Sequence, residues 1–142
     1  MSYLLDTNVL SEVRRPQPDA QVLAWLDQVD EERLYLSVIT IGELARGIAL
    51  MPAGKRKSGL AEWLDGDLRL RFGSRLLSID GETAFIWGRL MADAKSSGRV
   101  LPAMDGWIAA TALQHRLVVT TRNVRDFEDL GLEIFNPWPS EK

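Results

Sequence analysis

The 142-residue sequence contains no cysteine, which excludes disulfides, thiolate zinc sites and cysteine nucleophiles together and fits a reducing cytosol. It has a single histidine, His115, so acid–base catalysis by paired imidazoles is excluded, and no serine sits in a motif that would support a Ser-His-Asp triad. The glycines form neither a Gly-x-x-x-x-Gly-Lys-Ser/Thr loop nor a Gly-x-Gly-x-x-Gly turn after a strand, so no nucleotide-phosphate cradle is expected. No apolar run approaches the roughly 18 residues that would span a membrane, and no basic stretch leads into an apolar segment at the start. A soluble, cytoplasmic protein without membrane contact is the expectation. Basic residues are outnumbered, 17 Lys and Arg against 20 Asp and Glu for a net charge of −3, which argues against a nucleic-acid coat or architectural protein. It leaves open an enzyme that gathers carboxylates around a cation, because the cation reverses the local field. Repeats, low-complexity tracts and divisive linkers are also missing, so residues 1–142 read as one domain.

What is present is a globular composition, 46% hydrophobic and 26% charged, with enough apolar residues for a sizeable core. Five tryptophans add large apolar surface, for the core or for anchoring a partner. Tyr3 to Leu5 is a short apolar run that stops at Asp6 and reads as a buried strand. Thr7 to Val13 starts a helix that Pro16 and Pro18 break, and Asp19 caps a second helix with Val22, Leu23, Trp25, Leu26 and Val29 on its apolar face. Leu34 to Val38 is a second strand. Thr40 to Met51 follows as a helix, with Ile41, Leu44, Ala45 and Ile48 at helical spacing. Lys55 to Phe72 is an amphipathic helix weakened by Gly59 and Gly66; its stripe of Leu60, Trp63, Leu64, Leu68 and Phe72 is expected to pack inward. Arg75 to Ile79 is strand-like, Glu82 to Lys95 a helix closed by Gly98, and Asp105 to His115 a helix with Ile108, Ala109, Ala112 and Leu113 along one side. Leu117 to Thr120 and Glu133 to Phe135 complete the strands. The alternation predicts an α/β fold, a mostly parallel sheet of four to five strands flanked by helices. Such sheets bind ligands beyond the carboxyl ends of their strands, at a switch in strand order.

Four acids follow from this layout. Asp6 comes directly after the first strand, Glu43 lies near the start of the helix after the second, Asp105 opens its helix, and Asp126 follows the strand ending at Thr120. Singly, each has an ordinary explanation: Asp6 and Asp105 as helix caps, Glu43 as a solvated acid near a helix N-terminus, Asp126 as a surface partner of Arg122 or Arg125. Together they can project to one sheet edge. Two carboxylates about 4 Å apart repel by roughly 4 kcal/mol at an effective dielectric near 20, so convergence would require protons or a cation. All-oxygen donors select Mg²⁺ or Mn²⁺, and a bound cation activates water and neutralises charge developing on a phosphoryl group. One ion or two remains open at this point.

The ordered segments Leu4-Leu5-Asp6-Thr7-Asn8, Ser37-Val38-Ile39-Thr40-Ile41-Gly42-Glu43-Leu44, Asp105-Gly106-Trp107-Ile108-Ala109-Ala110-Thr111-Ala112, Thr120-Thr121-Arg122-Asn123-Val124-Arg125-Asp126-Phe127 and Phe135-Asn136-Pro137-Trp138 resemble PIN domains, in particular the VapC and FitB-type toxins of bacterial toxin–antitoxin pairs. The resemblance runs nearly end to end. It implies a single PIN-like domain and a metal-dependent endoribonuclease, with Asp6, Glu43 and Asp105 as the acids that hold Mg²⁺ or Mn²⁺. It implies a homodimer held inactive by a small antitoxin and reaching DNA only through that antitoxin. Thr7, Asn8, Thr40 and Thr121 match the family's polar supporting positions. Many relatives carry a fourth acid directly after the Thr-Arg pair, where this chain has Asn123. Asn123 adds no charge, and Asp126, three residues later, is the candidate fourth catalytic acid.

Among the remaining candidates, Arg122 is the one expected to meet an RNA phosphate, with Arg14, Arg15 and Arg46 also near the strand ends. Lys55-Arg56-Lys57 reads first as a solvated face. His115, in the last turn of its helix, reads as structural. A haloacid-dehalogenase-type enzyme would need a second Asp where this chain has Asn8, and a receiver domain would need an acidic pair at the first strand. The alternative from another class is a catalytically inactive PIN-like module that binds RNA or protein.

Overall fold

The computed structural model describes residues 1–140. Five parallel strands form one sheet: β1 (Tyr3–Leu5), β2 (Leu34–Ser37), β3 (Leu76–Leu77), β4 (Val118–Thr120) and β5 (Ile134–Phe135), in the order β3-β2-β1-β4-β5. The helices are α1 (Thr7–Val13), α2 (Ala20–Gln28), α3 (Val38–Ala49), α4 (Lys55–Glu62), α5 (Arg69–Phe72), α6 (Gly81–Ser96), α7 (Ala103–His115) and α8 (Val124–Phe127).

Period-two alternation on the short strands distributes the core over both sheet faces. Leu5, Leu34 and Leu36 pack with Val9, Leu10 and Val22 of α1 and α2, Leu44 and Ile48 of α3, and Phe72 of α5. Leu4 and Val119, facing the other way, pack with Ile108, Ala109 and Ala112 of α7 and Phe127 of α8. Parallel strands covered on both faces read as continuous apolar runs rather than as alternating ones, which is why Tyr3–Leu5 and Leu117–Thr120 were visible in the sequence.

Several boundaries and faces differ from the sequence expectation. Val38 begins α3 instead of ending β2, because Ser37 caps the helix through the Ile39 N–H donating to its Oγ at 3.0 Å. The third strand is only Leu76–Leu77, not Arg75 to Ile79. Arg75 instead closes a 3-10 turn over Gly73–Arg75, and its guanidinium donates to the Leu34 carbonyl. Leu23 and Ala45 lie exposed rather than on the packed faces of their helices. The stretch from Lys55 to Phe72 is helical throughout, but Trp63–Leu68 winds as a π-helical turn around Gly66. That wider turn rotates the apolar stripe so that Leu64, Leu68 and Phe72 are all buried. α6 ends as expected at Gly98, whose φ of 76° few other residues adopt.

The chain steps from β1 outward through β2 to β3 and then returns to place β4 on the opposite side of β1. The order of strands therefore switches between β1 and β4, and the crevice beyond their carboxyl ends is where ligands bind in such sheets. Asp6 leaves β1 at this point, and Thr121 leaves β4 beside it. Among the described residues, no helix is long and apolar enough to cross a membrane.

Candidate active site

Asp6 is fixed from several sides at once. Its backbone N–H donates to the Thr120 carbonyl at 2.9 Å, tying the end of β1 to the end of β4. Its Oδ1 accepts from the Thr7 N–H at 2.8 Å, so it caps α1. Its Oδ2 accepts from the Thr121 hydroxyl at 2.8 Å and, at 3.5 Å, from the Asn8 amide. The Asn8 amide also donates to Thr121 Oγ1 at 3.2 Å, and the backbone N–H groups of Asn123 and Arg122 close the network on Thr121 and Asn8. Asp6 is only 7% exposed. Burial pushes its pKa above the ordinary value against the opposing hydrogen bonds from Thr121 and Thr7, and the charges of Glu43 and Asp126 push the same way.

Glu43 sits on α3, which starts at the carboxyl end of β2, and its Oε1 accepts from the Thr7 hydroxyl at 2.7 Å. Thr7 thus bridges two acids: its N–H goes to Asp6 and its hydroxyl to Glu43. Asp105 arrives from the other side. It does not open its helix, as the sequence suggested; α7 begins two residues earlier at Ala103, after Pro102, and no side chain caps it. In that first turn Asp105 is half-buried and accepts no hydrogen bond among the described residues. Burial, followed by the charges of Asp6, Asp126 and Glu43, raises its pKa to about 6. The backbone that carries it is seated firmly: Gly106 packs so closely on α6 that an added Cβ would lie 2.8 Å from Met91 Sδ and 3.0 Å from Trp87 Nε1. Trp87 Nε1 donates to the Ala103 carbonyl at 3.3 Å, and the Trp87 and Trp107 rings stack at 4.4 Å and 5°.

Asp6, Glu43 and Asp105 line one open cavity of about 420 Å³, together with Thr7, Asn8 and Arg122. Asn123 lines it too. Among the described residues, no three His, Cys, Asp or Glu side chains are already closed to ion-binding distance, so the acids border a shared space rather than a finished cage. Two sequence candidates fall elsewhere. Asp126 is exposed on α8 and borders the neighbouring cavity, although its charge reaches both Asp6 and Asp105. It pairs with neither Arg122 nor Arg125. Thr40 is fully buried one turn before Glu43, with its hydroxyl unpartnered among the described residues. His115 is exposed at the end of α7, away from the cavity.

Sequence reasoning missed Glu12. This carboxylate is 4% exposed, lines the same cavity, and accepts from the Asp19 N–H at 3.0 Å, Trp138 Nε1 at 3.3 Å and Arg15 Nη1 at 3.3 Å. Burial alone would raise its pKa, but the bonds from Asp19 and Trp138 and the Arg15 charge outweigh that and lower it. A signal existed: Asn8, Ser11 and Glu12 are spaced i, i+3 and i+4, a polar stripe on one face of α1, with Arg15 just past its end, and all four line the cavity. The partner Trp138, 126 positions away in sequence, left no such trace.

The profile of the PIN domain matches residues 3–132. The chain belongs to the PIN-domain family. It is similar to a VapC ribonuclease of Sinorhizobium fredii, 47% identical over 135 residues that cover 95% of this chain and 96% of that one. It is likewise similar to the toxin FitB of Neisseria gonorrhoeae, 46% identical over 95% of this chain and 97% of FitB. Among solved structures, the FitAcB crystal structure from Neisseria gonorrhoeae superposes with a TM-score of 0.91 at 45% identity, covering 97% of this chain and 99% of the other. A structure of FitAB bound to a DNA fragment gives the same score at 43% identity, over 99% and 98%. The resemblance drawn from the ordered motifs is thus confirmed at the level of family and fold.

Proposed function

We propose that this PIN domain, working as one unit over residues 1–142, is a divalent-metal-dependent endoribonuclease and the toxin of a toxin–antitoxin pair. The observation that carries the reading is the meeting of Asp6, Glu43 and Asp105 on one cavity at the strand-order switch, in a chain whose relatives are named ribonucleases and toxins. The donor set fits Mg²⁺ or Mn²⁺: every candidate ligand is a carboxylate oxygen, and Asp105 is a half-buried acid with no donor among the described residues to offset its charge. Asp6, Glu43 and Asp105 would hold the ion, and Asp126 contributes negative charge from the rim. When bound, the ion would supply an activated water and neutralise charge on the phosphoryl oxygens.

The chain's own residues do the rest. Thr7 and Thr121 orient the carboxylates of Glu43 and Asp6 so that little reorganisation is needed when a cation and a phosphate arrive. Asn8 braces Asp6 and Thr121 and fixes the backbone of Arg122. Asn123 borders the cavity as a neutral polar wall, and Thr40 supports α3 from within. The biological setting of the reading is cytoplasmic: a homodimer, silenced by a small antitoxin of the kind present in the FitAB complexes and contacting DNA only through it.

The test is incubation of the purified chain, freed of any copurified partner, with mixed structured RNAs in Mg²⁺ or Mn²⁺, in EDTA, and beside Asp6→Asn. Cleavage that requires the ion and disappears in the variant supports the reading. Intact RNA in every lane, with a melting temperature that does not respond to Mn²⁺, would assign the fold to a binding module instead.

A further inference from the structure

Beside the acid-lined cavity lies a larger one of about 720 Å³, bordered by Arg122, Asn123, Arg125, Asn136 and Trp138. The two share Arg122, Asn123 and Trp138, which form the wall between them. That wall is built rather than incidental. Trp138 is 7% exposed, its indole N–H is held by buried Glu12 at 3.3 Å, and its backbone N–H donates to Asn136 Oδ1 at 3.0 Å. The Arg122 guanidinium lies over the Trp138 ring, 5.5 Å from its centre, while its backbone N–H reaches Asn8 Oδ1 in the Asp6 network. Arg122 is exposed and forms no ion pair among the described residues, and the same holds for Arg125.

An exposed arginine without a carboxylate partner, parked on a fixed aromatic face, keeps its fork of N–H donors available for an anion. A polynucleotide with one phosphate at the acids must carry its next phosphate across one wall of that cavity; this wall presents Arg122, whereas Arg15, which also lines the cavity, is paired with Glu12. The two carboxylates on the outer cavity, Asp19 and Asp126, restrict where an anion can settle. Asp19 is already occupied, accepting from the Gln21 and Val22 N–H groups at 2.9 and 3.1 Å. The volume lies within the range of pockets that take ligands of nucleotide size.

Resting on the ribonuclease reading above, we propose that the outer cavity is the subsite for the nucleotide adjacent to the cleaved bond, with Arg122 taking its phosphate from the Trp138 wall. Arg125 adds weaker, longer-range attraction.

The test measures binding of a fluorescein-labelled single-stranded RNA by anisotropy in Mg²⁺ across a salt series. The full chain carries Asp6→Asn to prevent cleavage, and cleavage by the wild-type chain is followed in parallel. Adding Arg122→Ala is expected to weaken binding roughly tenfold and to lower the slope of log K against log salt by about 0.7, the loss of one single-strand phosphate contact. Arg122→Lys should restore the slope. Arg116→Ala, at the opposite end of α7 from Asp105, should change neither quantity. If the wild-type chain cleaves RNA but Arg122→Ala leaves affinity and slope unchanged, this subsite is wrong and the ribonuclease reading stands. If the chain neither cleaves nor binds RNA, both fall.

Discussion

Asp6 and Asp105 border the same cavity but are held in contrasting ways. Asp6 accepts from Thr7, Thr121 and Asn8 and ties β1 to β4 through its own backbone. Asp105 has a firmly seated backbone under Trp87 and Met91, and a carboxylate with no donor among the described residues. The difference shows how a fold can store an unfavourable charge. One acid is oriented by hydrogen bonds and defines the geometry although burial still raises its pKa, whereas the other lacks a donor among the described residues and, on the proposed reading, would be balanced by a cation.

The comparison can be broken most severely at the level of activity. Asp6→Asn and Asp105→Asn are each expected to lower RNA cleavage by about 10²–10³-fold or more, measured as initial rates at saturating Mn²⁺. Equal losses would show that both halves serve one reaction despite their unlike supports. Next in size is the seat of Asp105. Gly106→Ala forces a methyl against Met91 and the Trp87 ring, and overpacking of this kind costs about 1–3 kcal/mol. Urea unfolding should detect it, together with weakened Mn²⁺ binding as α7 shifts.

The sharper contrast is in sign. Asp6→Ala removes the α1 cap and the acceptor for Thr121, and should destabilise the metal-free chain by roughly 1–2 kcal/mol. Asp105→Asn removes a charge that burial and three neighbouring acids oppose, and should raise the melting temperature of the metal-free chain at pH 7. If both variants lose stability, Asp105 has a compensating partner and the contrast fails.

The smallest effect is in pH dependence. Asp105 titrates near 6 in the fold, above its ordinary 3.8, so the folded state binds its proton more tightly than the unfolded chain does. Its contribution is therefore fully present below the ordinary value and is lost as pH rises through about 6. Glu12, lowered below its ordinary 4.5, acts in the opposite sense: its contribution is present above that value and is lost as pH falls through the lowered one. Melting curves of the metal-free chain should thus decline between pH 4 and 7 by an increment that Asp105→Asn removes and Glu12→Gln leaves in place.

Much of this arrangement was legible in the residues. The apolar runs at Tyr3–Leu5 and Leu117–Thr120 exposed the central strands because parallel strands are covered on both faces. Asp6 could be read because it follows directly on β1, and Glu43 because it lies early in the helix that leaves the carboxyl end of β2. Asp105 was found, but its helix starts at Ala103, since Pro102 leaves the N-terminus without the side-chain cap that would have marked it. The edge strand Leu76–Leu77 was overestimated because two paired residues carry almost no periodic signal. Asp126 was proposed from its place beyond β4 and from the resemblance; the turn into α8 sets it on the adjoining cavity, from which its charge still reaches Asp6 and Asp105. Glu12 escaped notice, and Trp138 was read only as part of the closing Phe135–Trp138 motif, because their contact joins residues 126 positions apart, which no local pattern encodes.

The central claim is that Asp6, Glu43 and Asp105 together hold one divalent cation. Calorimetric titration of Mn²⁺ into the purified chain at pH 7, beside Asp105→Asn, tests it most directly. The account predicts saturable binding by the wild-type chain that is weakened at least tenfold in the variant. It also predicts that proton release on wild-type binding grows as pH is lowered toward 6. Absence of binding to the wild-type chain, or equal affinity in Asp105→Asn, would contradict it.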